Sequence, residues 1–117
     1  MAGFAREQRL LRPTDFRYVF ADATRAGDAL VTVLARPNGR AHARLGLAVG
    51  RRKIARATRR NTFKRVVRES FRAHQDRLQG LDVVVLPKPA AAAIDRSSLR
   101  ASIDRQWRIL ERKLADR

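Results

Sequence analysis

Apolar residues at helical spacing predict a short helix near the start of the chain. They recur three and four residues apart and so share one side of a helix over about residues 14–22: Phe16, Val19, Phe20 and Ala23. Pro13 and Thr14 mark the beginning of this helix, and Asp15 places a negative charge in its first turn, where the helix dipole favours it.

Two longer helices are predicted in the second half of the chain. The first runs from Arg56 to about Leu78, is ended by Gly80, and has a one-sided apolar set: Phe63, Val66, Val67, Phe71 and Leu78. The second begins where Asp95 or Ser97 can cap it. Its apolar stripe, in which we assign the tryptophan to the core, consists of Leu99, Ile103, Trp107, Leu110 and Leu114.

Four segments have the composition of β-strands. Residues 29–36 are rich in Val, Leu and Thr, and residues 44–50 alternate larger apolar side chains with Gly and Ala. The turn signal at residues 37–39 (PNG) lies between them and predicts a hairpin. A short additional strand is predicted near residues 23–28. Residues 82–86 (DVVVL) form an apolar run of the kind found in strands that are buried on both faces of a sheet.

The order of these elements predicts an α+β fold. A strand, a long helix and a second strand are the usual connection between parallel strands, so residues 44–50 and 82–86 are expected to run parallel. The length of 117 residues is enough for one modest core. We therefore predict a single domain over residues 1–117, with an ordered core of about 8–114, in which three helices pack on one sheet.

Composition indicates a polyanionic partner. The 27 Lys and Arg residues against 11 Asp and Glu residues give a net charge of +16, whereas a charge of ~2–8 keeps a small domain soluble. Only four of these residues are lysine, and arginine both grips phosphate with two hydrogen bonds and stacks on bases. The chain has no cysteine, no apolar run of the ~20 residues that span a bilayer and no signal-peptide pattern in residues 1–13. We therefore expect a cytoplasmic protein that does not associate with membranes.

The positive charge is densest in residues 51–72. Glu69 is the only acid among ten basic side chains, which are Arg51, Arg52, Lys53, Arg56, Arg59, Arg60, Lys64, Arg65, Arg68 and Arg72. At ~100° per residue, Asn61 and the basic residues from Arg60 onward fall within an arc of about 140°, while the apolar residues occupy the other flank. One side of this helix is predicted to pack, and the other to present a cationic surface.

A charged helix face is most often merely solvated, but this one departs from that pattern. Solvated faces usually mix both signs, because like charges four residues apart cost ~0.2–0.5 kcal/mol per pair. Here one sign continues without interruption at that spacing through Arg56, Arg60, Lys64, Arg68 and Arg72. Phosphates would turn the repulsion into attraction. A basic amphipathic helix can also lie on an anionic membrane, but the sheet needs the apolar flank of this one.

Three segments, in order, carry a resemblance to a known family. They are residues 59–69 (RRNTFKRVVRE), residues 45–52 (LGLAVGRR) and residues 15–20 (DFRYVF). Together they resemble the protein component of bacterial ribonuclease P, in which an arginine-rich signature follows a strand and the first helix has two phenylalanines around a valine. Order and spacing agree over about residues 10–110, which is nearly the whole chain.

The resemblance implies both a fold and a function. The fold is α-β-β-β-α-β-α with one mixed sheet, similar to a ribosomal protein domain, and its β-α-β crossover through the basic helix is left-handed, although crossovers are generally right-handed. The function is that of the protein subunit of a ribonucleoprotein that removes the 5′ leader of precursor tRNA. The implied partners are precursor tRNA and a catalytic RNA that performs the hydrolysis, with one protein per RNA.

The resemblance also implies which residues meet RNA. The family's RNA-binding positions match Arg60, Asn61, Lys64, Arg65 and Arg68. Phe16 and Phe20 match aromatics of a cleft for the single-stranded leader, whereas their spacing alone is more typical of core residues. The family commonly has a second arginine after the asparagine, where this chain has Thr62. Some members also have an aromatic on the sheet floor of the cleft, and residues 29–36 and 44–50 contain none.

The sequence shows no protein active site. The acids are scattered, with no two of them two residues apart, and we place His42 in the hairpin turn and assign His74 a structural role. We therefore expect no catalytic residue and no cofactor bound by the protein alone, with the Mg²⁺ of the holoenzyme held mainly by RNA. Two alternatives remain open: a small ribosomal protein, which shares the charge and the α+β class, and a protein-only nuclease or RNA-modifying enzyme.

Overall fold

The structure, a computed structural model, describes residues 8–115. Its elements are α1 (Pro13–Ala21), β1 (Thr24–Gly27), β2 (Val31–Pro37), β3 (Arg44–Leu47), α2 (Ala57–Ala73), β4 (Leu81–Pro87) and α3 (Arg96–Ala115). Short 3₁₀ turns precede and follow β4, at Gln75–Leu78 and Pro89–Ala92. This is the predicted order of elements, including the short strand near 23–28. The single-domain prediction also covers residues 1–7 and 116–117, which lie outside the described residues.

The helix ends follow the capping signals in the sequence. In the first turn of α1, the Asp15 carboxylate accepts a 3.4 Å hydrogen bond from the Arg12 amide. Of the two candidate caps of α3, Asp95 is the one used: its Oδ2 accepts from the Ser98 amide at 3.0 Å and from the Ser97 hydroxyl at 2.7 Å. The hydrogen bonds from Ser97 and Ser98 lower the pKa of Asp95 to about 2.

The long helix is shorter than its apolar pattern predicts. α2 ends at Ala73, where the Nδ1 atom of His74 lies 2.8 Å from the Ser70 carbonyl oxygen, and the chain continues as a 3₁₀ turn. Leu78 nevertheless reaches the core and is fully buried. Gly80 follows with a φ of +81°, a left-handed conformation that favours glycine. The contact between the His74 ring and the Ser70 carbonyl at the end of α2 agrees with the structural role that was predicted for His74.

The sheet contains a pairing that the sequence did not predict. The strand order is β1-β2-β4-β3, with β2 antiparallel to both of its neighbours and β3 parallel to β4. The predicted hairpin between β2 and β3 is wrong, so His42 lies in a connection between non-adjacent strands. β4 separates them because Val83, Val84 and Val85 are fully buried, and a strand covered on both faces belongs inside the sheet. The predicted parallel pairing of β3 with β4 is confirmed.

The two faces of the sheet are covered differently. On one face, α2 and α3 pack over the main core. There the rings of Trp107 and Phe71 make a T-shaped contact, with their centroids 6.4 Å apart. The indole of Trp107, buried as predicted, donates a 2.8 Å hydrogen bond to Ser70, whose hydroxyl bonds to Asp104 at 2.5 Å. α1 covers part of the opposite face over a smaller core of Leu10, Val19 and Val84. The rest of that face forms an open groove.

Asp28, in the turn between β1 and β2, fastens α3 to the sheet. Its Oδ1 accepts from the amides of Leu30 at 2.9 Å and Val31 at 3.1 Å, and its Oδ2 accepts from the Ser102 hydroxyl at 2.5 Å and from Arg105 at 3.3 Å. Burial raises the pKa of Asp28, but these hydrogen bonds together outweigh it, and the pKa is lowered from its usual 3.8.

Replacing Asp28 with asparagine should make the free energy of unfolding depend less on pH in the acidic range. Because the folded-state pKa is lowered, the carboxylate stabilises the fold above about pH 3.8, and this contribution is lost as the pH falls through the folded-state value. We expect Asp28→Asn to lower the free energy of unfolding by about 1–3 kcal/mol at neutral pH and by less in acid. Urea unfolding at a series of pH values measures both effects, with Asp76→Asn at an exposed site as the control. A constant difference at every pH would contradict the prediction.

Candidate nucleic-acid interface

The loop before α2 is fixed by one buried side chain and a tight turn. Ile54 is 1% exposed and belongs to the main core. Its amide donates to the Gly50 carbonyl at 3.2 Å, and the Lys53 amide donates to the same oxygen at 3.3 Å. Arg51 and Arg52 are exposed at the turn. The buried isoleucine therefore holds the basic residues around it at the surface.

Arg60 ties this loop to the first turns of α2. Its Nη1 donates hydrogen bonds to the carbonyl oxygens of Ile54 at 3.0 Å and Ala55 at 2.7 Å. A guanidinium has five N–H donors, so this bracing leaves others for a ligand. The sequence predicted an RNA contact at Arg60, and the structure adds a role in positioning the loop.

The basic residues of α2 lie on the side away from the core. The predicted interface residues that are exposed are Arg51, Arg52, Lys53, Arg56, Arg59, Asn61, Arg65 and Arg72, and those that are half-buried are Arg60, Lys64 and Arg68. We call these eleven residues the cationic surface. Phe63, Val66, Val67 and Phe71 are buried on the opposite flank. At the departure from the family pattern, the Thr62 hydroxyl donates a 3.1 Å hydrogen bond to the Thr58 carbonyl of its own helix.

The acidic residues do not neutralise this surface. Leaving Arg68 aside, no basic residue of the cationic surface forms a salt bridge within residues 8–115, where the arginines that do so are Arg44, Arg77, Arg100 and Arg105. Burial lowers the pKa of the Arg68 guanidinium, and the positive charges of Arg9 and Arg72 lower it further. A phosphate beside these three cations would relieve their mutual repulsion.

A groove of about 410 Å³ lies beside α1 on the open face of the sheet. It is lined by Phe20, Arg25, Thr32, Leu34, Ala48, Lys53, Leu86, Pro87 and Lys88. Three of these residues are cationic and none is acidic. Lys53 belongs to the cationic surface, so the groove and that surface are contiguous. Arg25 and Lys88 were not predicted as site residues, because they are isolated cations in the sequence and only the sheet brings them to the groove.

The structure separates the two phenylalanines that were matched to a cleft. Phe20 lines the groove and is 49% exposed. Phe16 is half-buried and packs on β3, where a Cβ on Gly46 would lie only 2.8 Å from the Phe16 Cε1 atom. Phe16 therefore seats α1 on the sheet, and Phe20 is the ring that a ligand can reach. No other aromatic residue is found among the described residues that line the groove.

A buried ion pair holds α1 at the end of the sheet away from the groove. Arg44 donates from Nε and Nη2 to the two carboxylate oxygens of Asp82, at 2.8 and 2.6 Å. The side-chain amide of Asn38 donates a hydrogen bond to the same carboxylate at 2.9 Å. The Oδ1 atom of Asp15, on α1, lies 3.7 Å from Nη2 of Arg44. The hydrogen bond to Asp82 raises the pKa of Arg44. This network joins α1, β3 and β4.

A second attachment of α1 is made by Tyr18. The guanidinium of Arg36 lies 3.8 Å from the centroid of the Tyr18 ring and donates to the Tyr18 carbonyl oxygen at 2.6 Å. The Tyr18 hydroxyl in turn donates to the Pro37 carbonyl oxygen at 2.8 Å. Both attachments leave the edge of α1 with Phe20 open to the groove.

Neither a membrane-crossing helix nor a cluster of metal ligands is found among residues 8–115. No helix in that range combines the length and the apolar character that crossing a bilayer requires. The same residues contain no group of three or more His, Asp or Glu side chains placed to hold a metal ion.

Comparison with known proteins agrees with this geometry. The family model described as Ribonuclease P matches residues 4–111. The ribonuclease P protein component of Methylococcus capsulatus is 47% identical over 111 residues, which cover 95% of this chain and 87% of that protein. The corresponding protein of Aliivibrio fischeri is 46% identical over 109 residues, which cover 93% of each. The solved structure of the ribonuclease P protein from Thermotoga maritima has a TM-score of 0.74 and 33% identity, over 89% of this chain and 96% of that one.

These matches decide between the readings that the sequence left open. They span both the helix with the cationic surface and the groove beside α1, and both of these relatives are named as ribonuclease P protein components. The chain belongs to the ribonuclease P protein family, whose members are subunits of a tRNA-processing endoribonuclease.

Proposed function

We propose that the cationic surface is where this subunit binds the catalytic RNA and precursor tRNA. The observation that carries the proposal is the convergence of basic side chains on one side of α2 and its loop. Leaving Arg68 aside, none of them has a carboxylate partner within residues 8–115. Like charges held this close repel one another in the protein alone, and RNA phosphates turn that repulsion into attraction. The RNA subunit performs the hydrolysis.

Reconstitution of the holoenzyme tests this function. Adding the protein to the catalytic RNA at a low Mg²⁺ concentration should increase the single-turnover rate of precursor-tRNA cleavage. The RNA alone and the protein alone are the controls. Absence of stimulation would contradict the subunit role, and cleavage by the protein after complete removal of RNA would contradict the assignment of hydrolysis to the RNA.

We further propose that the groove binds the single-stranded 5′ leader. Phe20 offers an exposed ring on which a base can stack, and Arg25, Lys53 and Lys88 offer positive charge to the leader phosphates. An aromatic ring beside a basic groove binds single strands with little sequence preference, because every base has a flat face. The absence of a second aromatic among the described lining residues favours the stacking of one base rather than two.

Phe20→Ala should reduce the preference of the holoenzyme for leader-bearing tRNA. Loss of one stacked base, worth ~1–3 kcal/mol, should weaken the binding of precursor tRNA by about tenfold and leave that of mature tRNA unchanged. Dissociation constants of the holoenzyme for the two substrates measure the effect. Leu11→Ala, at an exposed apolar residue that does not line the groove, is the control. An equal loss for both substrates would show that Phe20 acts only in packing.

We propose that the Mg²⁺ of the holoenzyme is held mainly by RNA and that the protein alone binds no cofactor. The described carboxylates do not fit a Mg²⁺ site, which needs several oxygen ligands around one point. Asp15 and Asp82 both face Arg44, and Asp28 is enclosed by donors from its own turn and from α3. Calorimetric titration of the protein with MgCl₂ should show no saturable binding, and a stoichiometric transition would contradict the proposal.

We also propose one protein per catalytic RNA and a cytoplasmic location. The cationic surface and the groove are contiguous and form one interface, which supports a single docking mode on the RNA. A subunit that processes tRNA acts where precursor tRNA is found, and this supports the cytoplasmic location. Native mass spectrometry of the reconstituted complex measures the ratio, and two proteins per RNA would contradict it.

A further inference from the structure

The basic loop before α2 separates the groove from a second, smaller pocket. This pocket has a volume of about 250 Å³ and is lined by Ile54, Ala55, Arg56, Arg59, Ala92 and Ala93. Lys53 lines the groove, and the next residue along the chain, Ile54, already lines the pocket. The groove and the pocket are therefore lined by consecutive residues of the same loop.

The chemistry of the pocket suits a nucleobase. Its apolar part consists of one isoleucine and three alanines, whose small side chains leave room for a flat ring. Arg56 and Arg59 are exposed at its edge, and neither has a carboxylate partner within residues 8–115. Guanidinium planes stack on unpaired bases and also bind phosphate. Pockets for drug-sized ligands measure ~300–1,000 Å³, so this one has the size for a single base rather than a larger RNA element.

The pocket walls are fixed before any ligand arrives. On the loop side, Ile54 is anchored in the core, and Arg60 donates hydrogen bonds to the carbonyl oxygens of Ile54 and Ala55. On the opposite side, the 3₁₀ turn at Pro89–Ala92 is held by Ala91, which is 7% exposed and whose amide donates to the Lys88 carbonyl at 2.9 Å. A preformed site loses little conformational entropy on binding.

We propose that this pocket binds one unpaired nucleotide of the catalytic RNA, with its base against the alanines and Arg56 and Arg59 on the base and its phosphate. The inference rests on the proposed function, since the occupant belongs to the RNA that this subunit binds. The catalytic RNA is the source because the groove on the other side of the loop is the site that suits the leader.

Filling the pocket tests the proposal. Ala93 is exposed, so Ala93→Phe needs no space in the core, and its ring takes the place of the base. We expect Ala93→Phe to weaken the binding of the catalytic RNA by about tenfold. In chemical probing of the complex, one unpaired nucleotide that the unmodified protein protects should become reactive. Ala101→Phe, at an exposed position of α3, is the matched control and should change neither readout.

A second variant leaves the shape of the pocket open and removes a charge. Arg59→Gln should expose the same nucleotide to the probe, whereas Arg108→Gln, at an exposed arginine of α3, should not. Unchanged RNA affinity and protection with Arg59→Gln would overturn the proposal, whether or not Ala93→Phe folds. A change in protection on the leader instead of the catalytic RNA would overturn it too. Stimulation of cleavage by the unmodified protein, measured in parallel, shows whether the proposed function stands when the pocket assignment fails.

Discussion

Asp82→Ala should lower the free energy of unfolding by about 3–5 kcal/mol, because it removes the carboxylate that accepts both hydrogen bonds of the largely buried Arg44 side chain. The Asp82 side chain is 1% exposed and that of Arg44 is 14% exposed, and Asp15, at 3.7 Å from Arg44, is too far away to accept the lost hydrogen bonds. Asn38 also loses its acceptor. Urea denaturation followed by circular dichroism measures the effect, and for a domain of this size it corresponds to a fall in Tm of well over 10 °C.

A double variant separates the buried charge from the packing. Arg44→Met combined with Asp82→Leu removes both charges and keeps apolar volume, and it should recover much of the stability that Asp82→Ala loses. Asp76→Ala, at an exposed acid, should change stability by less than about 0.5 kcal/mol. A small effect of Asp82→Ala, similar to that of Asp76→Ala, would show that the pair contributes little to the fold.

The sequence indicates that Asp82 needs a partner, but it does not indicate that the partner is Arg44. A charged residue inside the run at 82–86 has to be paired when the strand is buried, and this requirement was visible in the pattern. The pattern does not say which of the many arginines pairs with it. Only the parallel register, in which Arg44 lies opposite Asp82, makes that choice.

Local sequence signals predicted the helices and strands in their correct order, but they wrongly predicted that β2 pairs with β3. The turn signal at residues 37–39 is real, since Gly39 has a φ of +68°, but it does not join adjacent strands. A hairpin between β2 and β3 would leave the most apolar strand at an edge of the sheet. Burial of β4 on both faces outweighs the short connection, and this competition involves residues more than forty positions apart, which local periodicity does not register.

The helical wheel of α2 predicted its two flanks, because the 3.6-residue period is a local property. It did not predict that Arg60 would brace the loop at Ile54 and Ala55, since that contact depends on the path of the chain before the helix. The sequence likewise did not decide whether Phe16 and Phe20 pack in the core or face the cleft. Gly46, on a strand far along the chain, is what seats one ring and leaves the other open.

The largest expected effect on RNA binding comes from Arg65→Gln combined with Arg68→Gln. Each phosphate contact contributes ~0.7–0.9 to the slope of log affinity against log salt, so the slope should become shallower by about 1.4–1.8. If the free energy of these two phosphate contacts comes from counterion release, affinity for the catalytic RNA should fall roughly 25- to 60-fold at ~0.1 M salt. Filter binding over a range of salt concentrations measures both quantities.

The same variant should not destabilise the protein alone, and this makes the test specific. Burial and the charges of Arg9 and Arg72 already lower the pKa of Arg68, which means that its charged form is held in an unfavourable field. Removing that charge reduces repulsion in the free protein while it removes attraction in the complex. Weaker RNA binding with little change in the free energy of unfolding would show that these side chains act on RNA rather than on the fold.

A control with the same change in net charge distinguishes local contacts from diffuse attraction. Arg108→Gln combined with Arg112→Gln removes two exposed arginines from α3, outside the cationic surface. If the slope depends only on the total charge of +16, both double variants should change it equally. If the α2 residues contact phosphates, only Arg65→Gln with Arg68→Gln should change it substantially. An equal change would remove the basis for assigning RNA binding to one side of α2, because the argument depends on where the charges lie rather than on how many there are.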